Sequence, residues 1–153
     1  MKYFEYIESN KEVAHIKYGF FSSSYNGCGW IAVWNFLHGC KRAPLRSTVA
    51  FEMEKHLILG GLFGTSIEGV RLGLRHFGYN STIYAKLTKE VLTADRVILY
   101  YGKGLRRHFG YAERHDGDIF KYKNPTITAE SLNEHEKRLN PTFIYYIVCE
   151  RID

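Results

Sequence analysis

Apolar positions recur at helical spacing in the first half of the chain and in short β-prone runs in the second half. The run Trp30-Ile31-Ala32-Val33-Trp34-Asn35-Phe36-Leu37 is apolar on nearly every side and interrupted only by Asn35. If helical, it is a buried central helix. Its length also fits a buried strand, but Gly39 just past its end suits a helix stop. After Pro44, the residues Leu45, Val49, Met53 and Leu57 recur every fourth position, which predicts one apolar helical stripe ended by Gly60-Gly61. Thr65-Ser66-Ile67-Glu68 reads as a capping box. Ile67, Val70, Leu74 and Phe77 then alternate spacings of three and four, and Gly78 closes the helix.

Beyond Gly78 the pattern changes. Residues 97–101 form a short apolar, β-prone run. Residues 109–113 and 119–122 flank Asp116-Gly117, a strong hairpin signal. Ser131-Leu132-Asn133-Glu134 caps one more short helix, and residues 143–149 form a closing strand. N-terminal helices packed on a C-terminal antiparallel sheet define the α+β class. A length of 153 residues, with no repeat and no Pro/Gly/Ser linker, implies a single domain over 1–153. Ser22-Ser23-Ser24, followed by Tyr25-Asn26-Gly27, is a loop rather than a boundary.

Composition narrows the class. A hydrophobic fraction of 45% with 16% aromatics supplies an ordinary globular core and argues against disorder. No apolar run is long enough to span a bilayer. The N-terminal stretch through Glu8 has no apolar signal core and carries two acids, so the expected location is the cytoplasm, with no membrane partner. Three irregularly spaced cysteines make no disulfide framework. The net charge of +5 reflects a modest excess of 21 basic over 16 acidic residues and identifies no anionic partner. Lys103, Arg106, Arg107 and Arg114 are denser locally and read as a solvated basic loop.

Cys28 stands in Asn26-Gly27-Cys28-Gly29, at the mouth of the central apolar run. A thiol at a helix N-terminus meets the positive end of the peptide dipoles, which stabilises the thiolate. Flanking glycines leave the sulfur uncrowded. Cys40 and Cys149, in or beside apolar segments, suit buried structural roles. A thiol nucleophile needs a base, and the chain offers His15, His38, His56, His76, His108, His115 and His135. His56 and His76 fall within predicted helices, His135 in a polar stretch and His115 in the hairpin turn. His108 follows Gly102-Lys103-Gly104 and opens a predicted strand. Pairing that strand with the next brings His108 beside Asn124, whose side-chain carbonyl can orient the imidazole without adding charge. Pro125 biases Asn124 toward an extended conformation. Asp116 and Asp118 lie at the far end of the hairpin.

Asn26-Gly27-Cys28-Gly29-Trp30-Ile31-Ala32, His108-Phe109-Gly110-Tyr111 and Asn124-Pro125 together resemble the papain-like peptidases that cleave double-glycine leaders from bacteriocins, and their stand-alone relatives. The resemblance covers the chain from about Ser22 to its end. It implies a papain-like fold, a thiolate–imidazolium pair, a thioester acyl-enzyme and hydrolysis of a peptide or related amide. In it Cys28 matches the nucleophile, His108 the base and Asn124 the third member, usually Asp in the leader peptidases and Asn in papain. The family's oxyanion Gln, six residues before the cysteine, is Ser22 here, which leaves Ser22 or Asn26 to join the Cys28 N–H. Trp30 replaces a proline often found two residues after the cysteine.

Other readings compete. An inactive domain of the same fold would bind peptides without turnover, and the same triad would serve acyl transfer. Arg107-His108-Phe109-Gly110-Tyr111-Ala112-Glu113 resembles an RNA-recognition strand, but His108 stands where glycine is expected and Arg114 where the last aromatic belongs. Cys28, His38 and Cys40 offer metal-ligand types without paired spacing. The expectation is a peptide or protein substrate, with no cofactor, metal or nucleic acid.

Overall fold

The apolar run after Cys28 is a helix, and its neighbours bury it. A computed structural model describes residues 5–152; residues 1–4, where the N-terminal stretch begins, and residue 153 lie outside it. In chain order the elements are β1 (Lys17–Tyr18), β2 (Phe21–Ser22), α1 (Ser23–Asn26), α2 (Cys28–Gly39), α3 (Arg46–Met53), α4 (Ile67–His76), β3 (Tyr79–Tyr84), α5 (Lys89–Thr93), β4 (Arg96–Lys103), β5 (Arg106–Asp116), β6 (Ile119–Lys123), β7 (Glu130–Ser131), α6 (Leu132–Leu139) and β8 (Phe143–Arg151). Single 3-10 turns occupy Asn10–Val13, Glu54–His56 and Leu59–Gly61.

Six strands form an antiparallel sheet in the order β3-β8-β4-β5-β6-β7. Alternation along β4 divides two cores. Ile98 and Tyr100 face α2, α3 and α4 together with Phe109, Tyr111 and Ile147. Val97 and Leu99 face α5 and α6 together with Ala112, Phe120, Tyr122 and Tyr146. Burial on both faces explains why residues 97–101 read as a continuous apolar run rather than an alternating one.

Asn35, the polar break in α2, is fully buried and satisfied. Its Oδ1 accepts the Ile7 N–H at 2.8 Å and its Nδ2 donates to the Ile7 carbonyl at 2.9 Å, which ties the N-terminal segment to the central helix. The predicted helix after Pro44 is shorter than its stripe. α3 ends at Met53, a 3-10 turn follows, and Leu45 at the helix entrance is exposed. The cap of α4 also lies one residue later than predicted, because Ser66 accepts the Gly69 N–H while Thr65 is buried and bonded to the Tyr18 hydroxyl. Ser131 caps α6 through the Glu134 N–H, as expected. The hairpin at Asp116-Gly117 joins β5 to β6, with Gly117 at φ 56.

Among the described residues no helix is long and apolar enough to cross a membrane. None of them form a group of three or more His, Cys, Asp or Glu side chains able to hold a metal. His38 packs edge-on against Tyr6 and stacks on Trp34, away from any ligand cluster. Phe109 and Tyr111 are buried against α2, so the RNA-recognition reading loses its stacking surface.

Candidate active site

Cys28 is the first residue of α2 and is partly exposed. Gly27 keeps helical pairing between α1 and α2, its N–H donating to the Ser23 carbonyl and its carbonyl accepting from Ile31, but the Cys28 N–H that follows finds no backbone acceptor among the described residues. Gly29 permits the close approach behind it, since a Cβ there would stand 2.7 Å from both Cβ and Oγ1 of Thr65. Thr65 is itself held by the Tyr18 hydroxyl at 2.7 Å, and that hydroxyl also donates to the Met53 carbonyl at 3.2 Å. Trp30 fills the core and donates its indole N–H to Ser23 Oγ at 3.0 Å. A buried, bonded indole accounts for tryptophan at this position.

His108 is the third residue of β5. β6 pairs with β5 only as far as Tyr111 opposite Lys123, so the start of β5 has an open edge, and the N-terminus of α2 meets it there. The His108 imidazole and the Cys28 thiol act on each other as side-chain partners, and the backbone N–H groups of Phe109 and Gly29 add to the stabilisation of the sulfur's charge. Nε2 of His108 lies 2.6 Å from the backbone oxygen of Asn124. A carbonyl only accepts, so Nε2 carries the proton, and Nδ1 is left to accept from the thiol.

The proton affinities follow from this geometry. Burial works to raise the Cys28 pKa, but His108 and the two backbone donors outweigh it, and the net shift is downward. For His108, burial works to lower the pKa, but the cysteine's hydrogen bond and charge, with the Asn124 carbonyl, carry it upward. Opposite shifts in two touching groups favour a thiolate–imidazolium pair.

Asn124 does reach His108, but differently from the sequence expectation. Its φ is 59°, in the left-handed region rather than extended. Asparagine tolerates that conformation better than most residues. The turn presents its backbone carbonyl, not its side-chain amide, to the imidazole. The amide instead donates to Asn10 Oδ1 at 2.8 Å. The two suggested oxyanion side chains are also committed elsewhere. Ser22 donates to the Ala14 carbonyl at 2.6 Å and caps α1. Asn26 is buried, with its NH₂ donating to the carbonyls of Tyr18 at 3.1 Å and Gly61 at 3.0 Å.

The remaining candidates fall into place elsewhere. Cys149 is half-buried on β8, and desolvation pushes its thiol pKa up. Burial lowers the His135 pKa against the opposing effect of Glu130, whose Oε1 lies 3.0 Å from Nδ1, and the ring stacks on Tyr122. His115 is exposed at the hairpin end. Arg114 donates to the Leu92, Ala94 and Gly117 carbonyls, so it leaves the basic cluster. Tyr101, which the sequence reading passed over, lies across the β4–β5 ladder from His108 with its ring edge-on at 5.6 Å. Joining residues 97–101 to the strand after Gly104 as a hairpin would have revealed that pairing.

A helix headed by a cysteine, set against an antiparallel sheet that carries a histidine, is the papain-like peptidase fold. It is shared with two solved peptidase domains. The double-glycine motif protease of an AMS/PCAT transporter, solved with its leader peptide, matches with a TM-score of 0.60 at 13% identity, over 89% of this chain and 90% of that one. The peptidase domain of Streptococcus ComA, a bifunctional ABC transporter of a quorum-sensing pathway, matches with a TM-score of 0.59 at 11% identity, over 82% of this chain and 91% of that one. No protein-family model and no curated protein matches the chain in sequence.

Proposed function

We propose that this single-domain protein is a cysteine peptidase-like hydrolase in which Cys28 is the nucleophile, His108 the general base and acid, and Asn124 the residue that orients the base. The observation that carries this reading is the pairing of Cys28 with His108 at the head of α2, with the far ring nitrogen of His108 held at 2.6 Å by Asn124. His108 takes the thiol proton and the thiolate attacks an amide carbonyl carbon. The oxyanion is met by the unpaired Cys28 N–H. The imidazolium protonates the leaving amine, and water attacks the thioester to release the acid. The substrate class is a peptide, in keeping with the leader peptide bound by the AMS/PCAT relative in fold. The second reading, peptide binding without turnover, is favoured by the commitment of Ser22 and Asn26 to other partners.

The test is a peptide library derived from a digested proteome, read by mass spectrometry for new termini. Wild type should create termini that Cys28→Ala and His108→Ala do not. If no termini depend on Cys28, hydrolysis is refuted and the binding reading takes its place.

A further inference from the structure

The committed donors of Ser22 and Asn26 pose a chemical problem. An oxyanion held by one backbone N–H is under-stabilised, and removing one of two donors costs such sites about 10²–10³ in rate. Tyr101 offers a free donor. It faces His108 directly across the β4–β5 ladder, and its ring meets the imidazole edge-on at 5.6 Å. Its ring is half-buried against Ile144 and its neighbours on β4 and β8. Yet its hydroxyl has no hydrogen-bond partner among the described residues. By contrast, the buried Tyr18, Tyr111, Tyr122 and Tyr146 each spend their hydroxyl on a carbonyl, hydroxyl or carboxylate.

We infer that the Tyr101 hydroxyl is the side-chain donor to the reacting carbonyl oxygen, standing in for the donor that Ser22 does not supply. This rests on the cysteine-hydrolase reading above. In the step concerned, the thiolate electron pair of Cys28 forms the C–S bond and the carbonyl π pair moves onto oxygen. That oxygen accepts from the Cys28 N–H and the Tyr101 O–H. On collapse the π bond re-forms and the bond to the leaving group breaks, its electron pair departing with that group. Burial and the nearby Cys28 charge both raise the Tyr101 pKa, so the hydroxyl keeps its proton wherever the thiolate is present.

Two reagents separate this role from a merely structural one. p-Nitrophenyl acetate acylates Cys28 through a tetrahedral oxyanion, and released nitrophenolate reports the rate. Iodoacetamide alkylates the same sulfur by displacement, with no oxyanion. Tyr101→Phe keeps the ring and removes only the hydroxyl. It should slow acylation by about 10²-fold and leave the alkylation rate and its pH profile within about twofold. Adding Ser22→Gln to Tyr101→Phe should recover part of the lost acylation, because the longer amide reaches where serine does not. Acylation unchanged in Tyr101→Phe would overturn the assignment while leaving the hydrolase reading intact. Equal losses with both reagents would overturn it too, by placing the effect of Tyr101 on the thiolate. If wild-type Cys28 reacts with iodoacetamide only as an ordinary thiol, the hydrolase reading falls and this inference with it.

Discussion

Replacing His108 with alanine should change the shape, more than the height, of the reactivity profile of Cys28. An ordinary thiol ionises near pH 8.5, so about 1% is thiolate at pH 6.5. His108 is the partner that carries the Cys28 pKa below its ordinary value against burial. Each unit of lowering multiplies the thiolate population by about ten while ionisation is incomplete. It also lowers the intrinsic nucleophilicity of that thiolate about threefold, since the Brønsted coefficient is about 0.4–0.5. The net gain in rate is therefore only about threefold per unit, and it is easily mistaken for a change in access. The slope has no such ambiguity. A thiolate already formed gives a rate that is flat with pH, whereas an un-ionised thiol gives one that rises about tenfold per pH unit.

Wild-type Cys28 alkylation by iodoacetamide, mapped to each cysteine by mass spectrometry, should thus vary less than about twofold between pH 6 and pH 8. In His108→Ala, burial is opposed only by the Phe109 and Gly29 N–H groups and the helix end. That variant should climb close to tenfold per unit across the same range. Cys149, half-buried and with its thiol pKa raised by desolvation, should react slowly in both proteins and serves as an internal control. A wild-type profile as steep as that of the variant would refute the ion pair and every mechanistic step built on it.

Other substitutions probe the supports of the site. Asn124→Gly keeps the backbone carbonyl and accepts a positive φ, so the flat alkylation profile should survive; Asn124→Ala faces about 1–2 kcal/mol of left-handed strain and should lower both Tm and reactivity. If Asn124→Gly steepens the profile as much as His108→Ala does, the side-chain amide orients the base after all. Gly29→Ala sets a methyl 2.7 Å from Thr65 and should cost about 1–3 kcal/mol in urea unfolding; an unchanged midpoint would mean that the two segments separate freely. Asn35→Ala strips partners from both polar groups of Ile7, at about 1–3 kcal/mol each, and should lower the unfolding midpoint unless the N-terminal segment contributes nothing to the fold. His135 binds its proton less readily folded than unfolded, so its contribution to stability is complete above the ordinary imidazole value of about 6.5 and is lost as pH falls toward the folded value. His135→Gln should accordingly lose less Tm than wild type between pH 7 and pH 5, and parallel losses would remove His135 from the account.

Much of this arrangement was legible in the sequence because it rests on local signals. The Gly27-Cys28-Gly29 context, the buried run after it and the Asp116-Gly117 turn are each short-range, and together they placed Cys28 on a helix end and His108 near Asn124. The capping signal at residues 65–68 was right in kind and off by one residue, because Thr65 is claimed by a tertiary bond to Tyr18. β3 escaped notice since Tyr79–Tyr84 carries Asn80, Ser81 and Thr82 and is held by pairing with β8 rather than by an apolar run.

What the sequence could not reveal is which atom of a residue does the work. The sequence points to the side chain of Asn124, yet the structure presents its main-chain oxygen to His108. A left-handed turn leaves only a faint trace in sequence, because asparagine is common both there and in extended pre-proline positions. The engagement of Ser22 and Asn26 with other partners has the same origin. Ser22 stands where the resemblance places an oxyanion donor and Asn26 lies close to Cys28 along the chain, whereas the availability of a donor depends on which carbonyls lie near it in space. Ala14, Tyr18 and Gly61 supply those carbonyls from separate segments. Tyr101 is the converse case, far from Cys28 in sequence and with a hydroxyl that has no hydrogen-bond partner among the described residues, and strand register sets it opposite His108. In this fold a side chain can donate to a reacting carbonyl only if no carbonyl of the scaffold has already taken its proton, and that condition favours the strand bearing Tyr101 over the β2–α1 segment that leads into Cys28.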